Sequence, residues 1–172
     1  MKVAKSLLHK ITNQTKIFNS TLDIYNDALS FIIRVIDKEF DHTDGLTTKS
    51  IVPAVEKLIH ATKSNPLPKY KEFNERFYKF PSYFRRSAIA SAFGKVKSFR
   101  SNYQNWQKEQ KYALSEGKKF KKQPPRLQEE HKEFPVFYRG NMFNRTSDTT
   151  AQIKVFHQND WVWTDIEFKG QD

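Results

Sequence analysis

Residues 16–40 read KIFNSTLDIYNDALSFIIRVIDKEF, and their period decides the fold class. Phe18, Leu22, Tyr25, Leu29, Ile32 and Ile36 recur every three or four residues, which places them on one face of a helix. Ile17, Ile24, Ala28, Phe31 and Val35 widen that face, so the helix is expected to pack on two sides. Just before it, Asn13 to Thr15 supply N-cap chemistry. Further upstream the period is two. Val3, Lys5, Leu7, His9 and Ile11 alternate with Lys2, Ala4, Ser6, Leu8 and Lys10, which predicts a strand over 2–11.

Downstream, Asp41 to Gly45 breaks the helical pattern and Thr47 to Lys63 resumes it, with Pro53 tolerated in the first turn. Asn65 to Pro68 is a loop, and Lys69 to Tyr78 has room for a short helix. The longest helix is expected from Ser82, as N-cap, to about Tyr112. Its apolar stripe is Ile89, Phe93, Val96, Phe99, Tyr103 and Trp106, and its cations fall largely off that stripe. After a basic loop, Gly117 to Arg126, strand patterns return. Pro135 to Phe143 is aromatic-rich, Ile153, Val155 and His157 alternate with polar neighbours, and Gln158 to Asp160 is turn-like. Trp161 to Phe168 alternates again, giving a hairpin. Strand, helices, strands: the order predicts an α+β chain, a small β-domain whose first strand is separated from the others by a helical insertion.

Composition narrows the function. Hydrophobic residues are 37% and aromatics 15% of the 172 residues, a polar chain whose rings still supply a core. The formal net charge is +11, which favours polyanionic partners. Residues 82–126 carry 12 Lys or Arg against 2 Glu, so the excess is concentrated in one stretch. Such clustering marks a binding surface more than general solubility. The absence of cysteine excludes disulfides, thiol nucleophiles and thiolate zinc sites. No apolar run is long enough for a signal peptide or a membrane span, and a cytoplasmic protein is expected.

The phosphate-binding candidates are Arg85, Arg86, Lys95, Lys97 and Arg100, which are expected to point from one helix towards one groove. Lys118, Lys119, Lys121, Lys122 and Arg126 extend the patch along the loop. Several cations on one surface neutralise phosphates and release counterions. Among the interleaved rings, Tyr103 and Trp106 continue the apolar stripe, which leaves Tyr83 and Phe120 as candidates for stacking on bases. The five histidines show no metal-ligand spacing, and no GxxxxGK[ST], GxGxxG or GxSxG signature occurs. No cofactor, metal or catalytic residue is expected.

Three stretches resemble the TnpB (OrfB) family, the RNA-guided nucleases, also called transposases, of small bacterial transposons. Thr21 to Ala28 is similar to the family's first long helix, and Phe80 to Ala90 through Tyr103 to Trp106 to its later basic helix. Pro124 to Leu127, Phe134 to Phe143 and Trp161 to Trp163 resemble the return into its β-domain. The resemblance implies a wedge-like β-barrel formed by residues 1–15 and 124–172, split by a helical recognition insertion over 16–123. It implies partners too: a guide RNA and the DNA flanking its target. The family's RNase-H-like catalytic domain and cysteine-bound zinc ribbon have no counterpart here, so the chain is expected not to be an enzyme by itself. It would act as a binding module for nucleic acid, or as a subunit completed by a separately encoded catalytic half or another transposon-encoded partner.

Overall fold

The computed structural model describes residues 8–13, 15–128 and 130–169. Within them the chain is α+β. Helices α1 (Thr15–Lys38), α2 (Phe40–Thr43), α3 (Thr48–Ile59), α4 (Glu72–Arg76) and α5 (Ser82–Ser115) precede strands β1 (Phe143–Arg145), β2 (Thr150–His157) and β3 (Asp160–Glu167). The strands form an open antiparallel sheet in the order β1-β2-β3.

Local chemistry sets the helix ends. Thr47 caps α3: its hydroxyl accepts the Ser50 N–H at 3.3 Å while the Ser50 hydroxyl accepts the Thr47 N–H at 2.9 Å. Pro53 lies in the second turn of α3 instead of the first, and the helix runs through it because Ile51, Val55 and Ile59 are all buried on the inner face. The expected cap of α5 is shifted by one residue. Pro81 holds the N-cap position, its carbonyl accepting the Arg85 N–H at 2.9 Å, and Ser82 is the first helical residue. Proline's fixed φ suits the entry, and its missing N–H costs nothing there.

The β2–β3 hairpin turns through Gln158 and Asn159, at φ 49° and 61°. Two consecutive left-handed residues match the twist of the strands. In β2 the alternation read from the sequence holds, with Ala151, Ile153 and Val155 buried. In β3 Ile166 and Phe168 are buried on the same face, whereas Trp161 is buried on the opposite face, against Phe80 and Phe84. Of the predicted N-terminal strand, residues 2–7 lie outside the described residues. The described part runs along the free edge of β3 near its end. Ile11 bridges Phe168, Thr12 donates to the Glu167 carbonyl at 2.9 Å and Lys169 to the Lys10 carbonyl at 3.1 Å. Asn13 is spent on the same edge, its Oδ1 accepting the Glu167 N–H at 2.9 Å.

Pro135 to Phe143 is a strand only at its end. Pro135 has no N–H to give, and at Gly140 (φ 81°) the chain turns, the Met142 N–H bonding back to the Tyr138 carbonyl at 2.8 Å.

The main core is laid down by α1, α3 and α5 around Tyr25, Leu29, Ile32, Ile51, Val55, Phe84, Ile89 and Phe93, and it takes in Met142 and Trp161 from the β region. Phe73, Phe77, Phe80, Phe84 and Trp161 meet as a chain of tilted and edge-on rings with centroids 4.9–6.2 Å apart. A second cluster places Ile17 and Phe18 of α1 against Ile153, Val155 and Phe168. Helix and sheet are tied by buried Thr21, whose hydroxyl accepts the Phe156 N–H at 2.9 Å and donates to the Ile17 carbonyl at 3.2 Å. That contact satisfies a strand N–H that β1 is too short to reach. Among the described residues no helix is long and apolar enough to cross a membrane.

Candidate nucleic-acid interface

Helix α5 is the scaffold of the basic region, and its two halves differ. Every buried α5 residue lies between Phe84 and Val96. From Lys97 to Ser115 none is buried, so about 28 Å of helix, at about 1.5 Å per residue, carries an exposed surface. On that half Lys97, Gln104, Lys108 and Lys111 are exposed at helical spacing along one side.

The five cations singled out on this helix do not converge on one groove. Arg85 is buried at 7% exposure and donates its Nε–H to Glu56 of α3 at 3.1 Å, while Arg86, exposed, stands 3.8 Å from the same carboxylate. Arg100 donates Nε–H and Nη2–H to Asp37 Oδ1 of α1, at 2.9 and 2.6 Å, and lies over the Phe40 ring. Lys95 meets Glu133 at 2.8 Å on the returning segment. Lys97 alone of the five has no carboxylate partner among the described residues. Its ammonium sits over the Phe93 ring, 5.2 Å from the centroid. Arg85 shows why: it is four residues before Ile89 and so continues the apolar stripe, where an unpaired charge cannot rest.

The basic loop is not a free tether. Gly117, at φ 66°, ends α5 and reverses the chain, with its N–H on the Leu114 carbonyl at 3.0 Å and the Lys118 N–H on the Ala113 carbonyl at 2.9 Å. The loop then runs back along the helix. Trp106 Nε1–H donates to the Lys122 carbonyl at 2.8 Å, Lys122 Nζ meets Glu109 at 2.8 Å, and the Phe120 ring stands edge-on to Trp106 at 5.8 Å. Lys118 lies 4.0 Å from Glu116, an exposed pair of little consequence. Lys119, Lys121 and Arg126 are exposed and, among the described residues, have no carboxylate partner.

Both stacking candidates are already engaged. Tyr83 lies against Tyr138 at 4.7 Å with its hydroxyl accepting from Asn141 at 3.1 Å, and Phe120 packs on Trp106. Tyr103 and Trp106 are half-buried in one ring row with Phe99 and Phe120, consistent with their stripe positions.

Between α5 and the returning segment lies a groove of about 570 Å³, lined by Gly94, Lys95, Asn102, Arg126, His131 and Glu133. Burial works against the Glu133 charge, but hydrogen bonds from Lys95 and Ser91 hold its carboxyl below the usual range. Burial and the Lys95 ammonium push His131 down, which keeps the imidazole neutral near pH 7. Sequence reading missed Glu133, and Asn26 supports it by bonding both its N–H and its carbonyl. Among the described residues no group of three or more His, Cys, Asp or Glu could hold a metal ion.

Fold and surface together define an α+β protein with a long, half-exposed basic helix and a loop folded back on it. The chain belongs to the Aq_aa04 family, which it matches over residues 3–157. No curated protein and no solved structure matches it.

Proposed function

We propose that this chain is the nucleic-acid-binding part of a TnpB-like, transposon-associated RNA-guided DNA endonuclease, gripping guide RNA and target-flanking DNA without itself carrying the cutting site. One observation carries the reading. The exposed half of α5 and the returning loop present Lys97, Lys108, Lys111, Lys119, Lys121 and Arg126, six exposed cations without a carboxylate partner among the described residues. Residues 97–126 hold nine cations against two carboxylates. A solvated helix face mixes its signs; this one does not. The wedge-like barrel of residues 1–15 and 124–172 belongs to the same proposal, with residues 10–13 lining one edge of the open sheet. A cytoplasmic location follows from the role.

The test is binding of the purified protein to a hairpin RNA and to a B-form DNA duplex across a salt series. If most of the six cations engage phosphates, log K should fall with log salt at a slope of about −3 to −5, at about −0.9 per phosphate. A slope near zero would remove the proposal. Sequencing RNA recovered with the protein from its own cells tests the guide: one defined transcript supports it, a random mixture does not.

A second reading, a subunit completed by a separately encoded catalytic half, is favoured by Phe134 and Val136. They are 80% and 58% exposed on a segment outside the sheet ladder. Coexpression with the neighbouring reading frames should then yield a stable complex that Phe134→Ser disrupts.

A further inference from the structure

We infer that Trp106 is a positioning residue that holds the basic loop 118–126 on α5, so that the helix and the loop act as one phosphate-binding surface. The inference rests on the nucleic-acid reading above. A loop carrying Lys118, Lys119, Lys121, Lys122 and Arg126 as a free tether would lose conformational entropy each time it bound. Here that cost falls within the folded protein. Gly117 reverses the chain, the Trp106 indole N–H clasps the Lys122 carbonyl, and its ring receives Phe120. The clasp is 16 residues apart in sequence and joins the exposed half of the helix to the midpoint of the loop. It also divides the labour among the loop cations. Lys122 is engaged at both ends, its carbonyl by Trp106 and its ammonium, still exposed, by Glu109. Lys119, Lys121 and Arg126 are left exposed, ready for phosphates. Trp106 carries no charge and is half-buried beyond the last buried α5 residue, so its removal spares both the net charge and the core.

Two variants separate clasp from ring: Trp106→Ala removes both, and Trp106→Phe keeps a ring without the N–H. The first readout needs no nucleic acid. Trypsin cleaves after the loop's lysines and Arg126, and cleavage there should be about tenfold faster in Trp106→Ala than in the wild type, with Trp106→Phe between them. Far-ultraviolet circular dichroism and the urea midpoint of the main unfolding step confirm that the fold persists. The second readout is affinity for a B-form DNA duplex across a salt series. Trp106→Ala should bind about tenfold more weakly, although no charge has changed. Loop cleavage at the wild-type rate in Trp106→Ala overturns the clasp. Faster cleavage with unchanged affinity overturns its role in binding. If the wild type binds neither DNA nor RNA, the nucleic-acid reading fails, and the proteolysis still reports whether Trp106 holds the loop.

Discussion

Arg85 on α5 and Glu56 on α3 form a largely buried ion pair, the guanidinium Nε–H donating to the carboxylate at 3.1 Å with the two side chains 8% and 21% exposed. The first cation of the basic stretch is thus part of the scaffold. Removing one member of such a pair leaves the other charge poorly solvated. Arg86, 3.8 Å from the same carboxylate, softens the loss. Arg85→Met should therefore lower the free energy of unfolding by about 2–3 kcal/mol, below the usual range for a fully buried pair. Urea denaturation measures it, and the salt dependence of nucleic-acid binding should stay as in the wild type.

The Glu39 carboxylate, 6% exposed, accepts from Lys69 Nζ and from the Tyr70 hydroxyl. The Lys69 hydrogen bond first, and that of Tyr70 second, hold its carboxyl below the ordinary value of 4.5. The folded state therefore binds this proton more weakly than the unfolded chain. The resulting stability is full above about pH 4.5 and is lost as the pH falls through the folded value. Tyr70 runs the other way. Burial, and then the bond to Glu39, raise its hydroxyl from 10.0 to about 12, so its contribution is full below pH 10 and lost towards pH 12. Urea midpoints across pH should show both flanks, and Glu39→Gln should flatten the acid one.

Gly117→Ala puts a Cβ on a residue at φ 66° that has no atom within 4 Å of the new carbon. The cost is backbone strain alone, about 1 kcal/mol. It should appear as faster tryptic cleavage in the adjoining loop, with little change in the main urea transition, because the strained turn lies beyond the buried half of α5.

Much of this fold was legible in the sequence. The three- and four-residue recurrence from Phe18 to Ile36 gave α1, and the alternation either side of Gln158 and Asn159 gave the β2–β3 hairpin. Both signals are local: one face is buried, so the period shows. The return from Pro135 was less legible, because rings there pack singly. Phe137 enters the core while Phe134 and Val136 stay out, and no ladder imposes a regular strand. The fates of the α5 cations were hidden for a different reason. Spacing on one helix gives a direction but not what stands opposite, and the partners Glu56, Asp37 and Glu133 come from three separate segments. Arg85 is a separate case: it stands four residues before Ile89 on the buried stripe, a position that reading the cations as lying off the stripe passed over.

The central claim is that nucleic acid is held by the exposed half of α5 and its docked loop, and not by net charge at large. Charge reversal to Glu at Lys97, Lys108, Lys111, Lys119 and Lys121 tests it against reversal at Lys10, Lys49, Lys57, Lys63 and Lys71, all exposed and without a carboxylate partner among the described residues. Net charge falls equally in both. In a salt series with a B-form DNA duplex, the first variant should lose most of the affinity and most of the log–log slope, which is about −0.9 per phosphate neutralised. The control variant should keep a slope within about one phosphate of the wild type. Equal losses in the two variants would contradict the account.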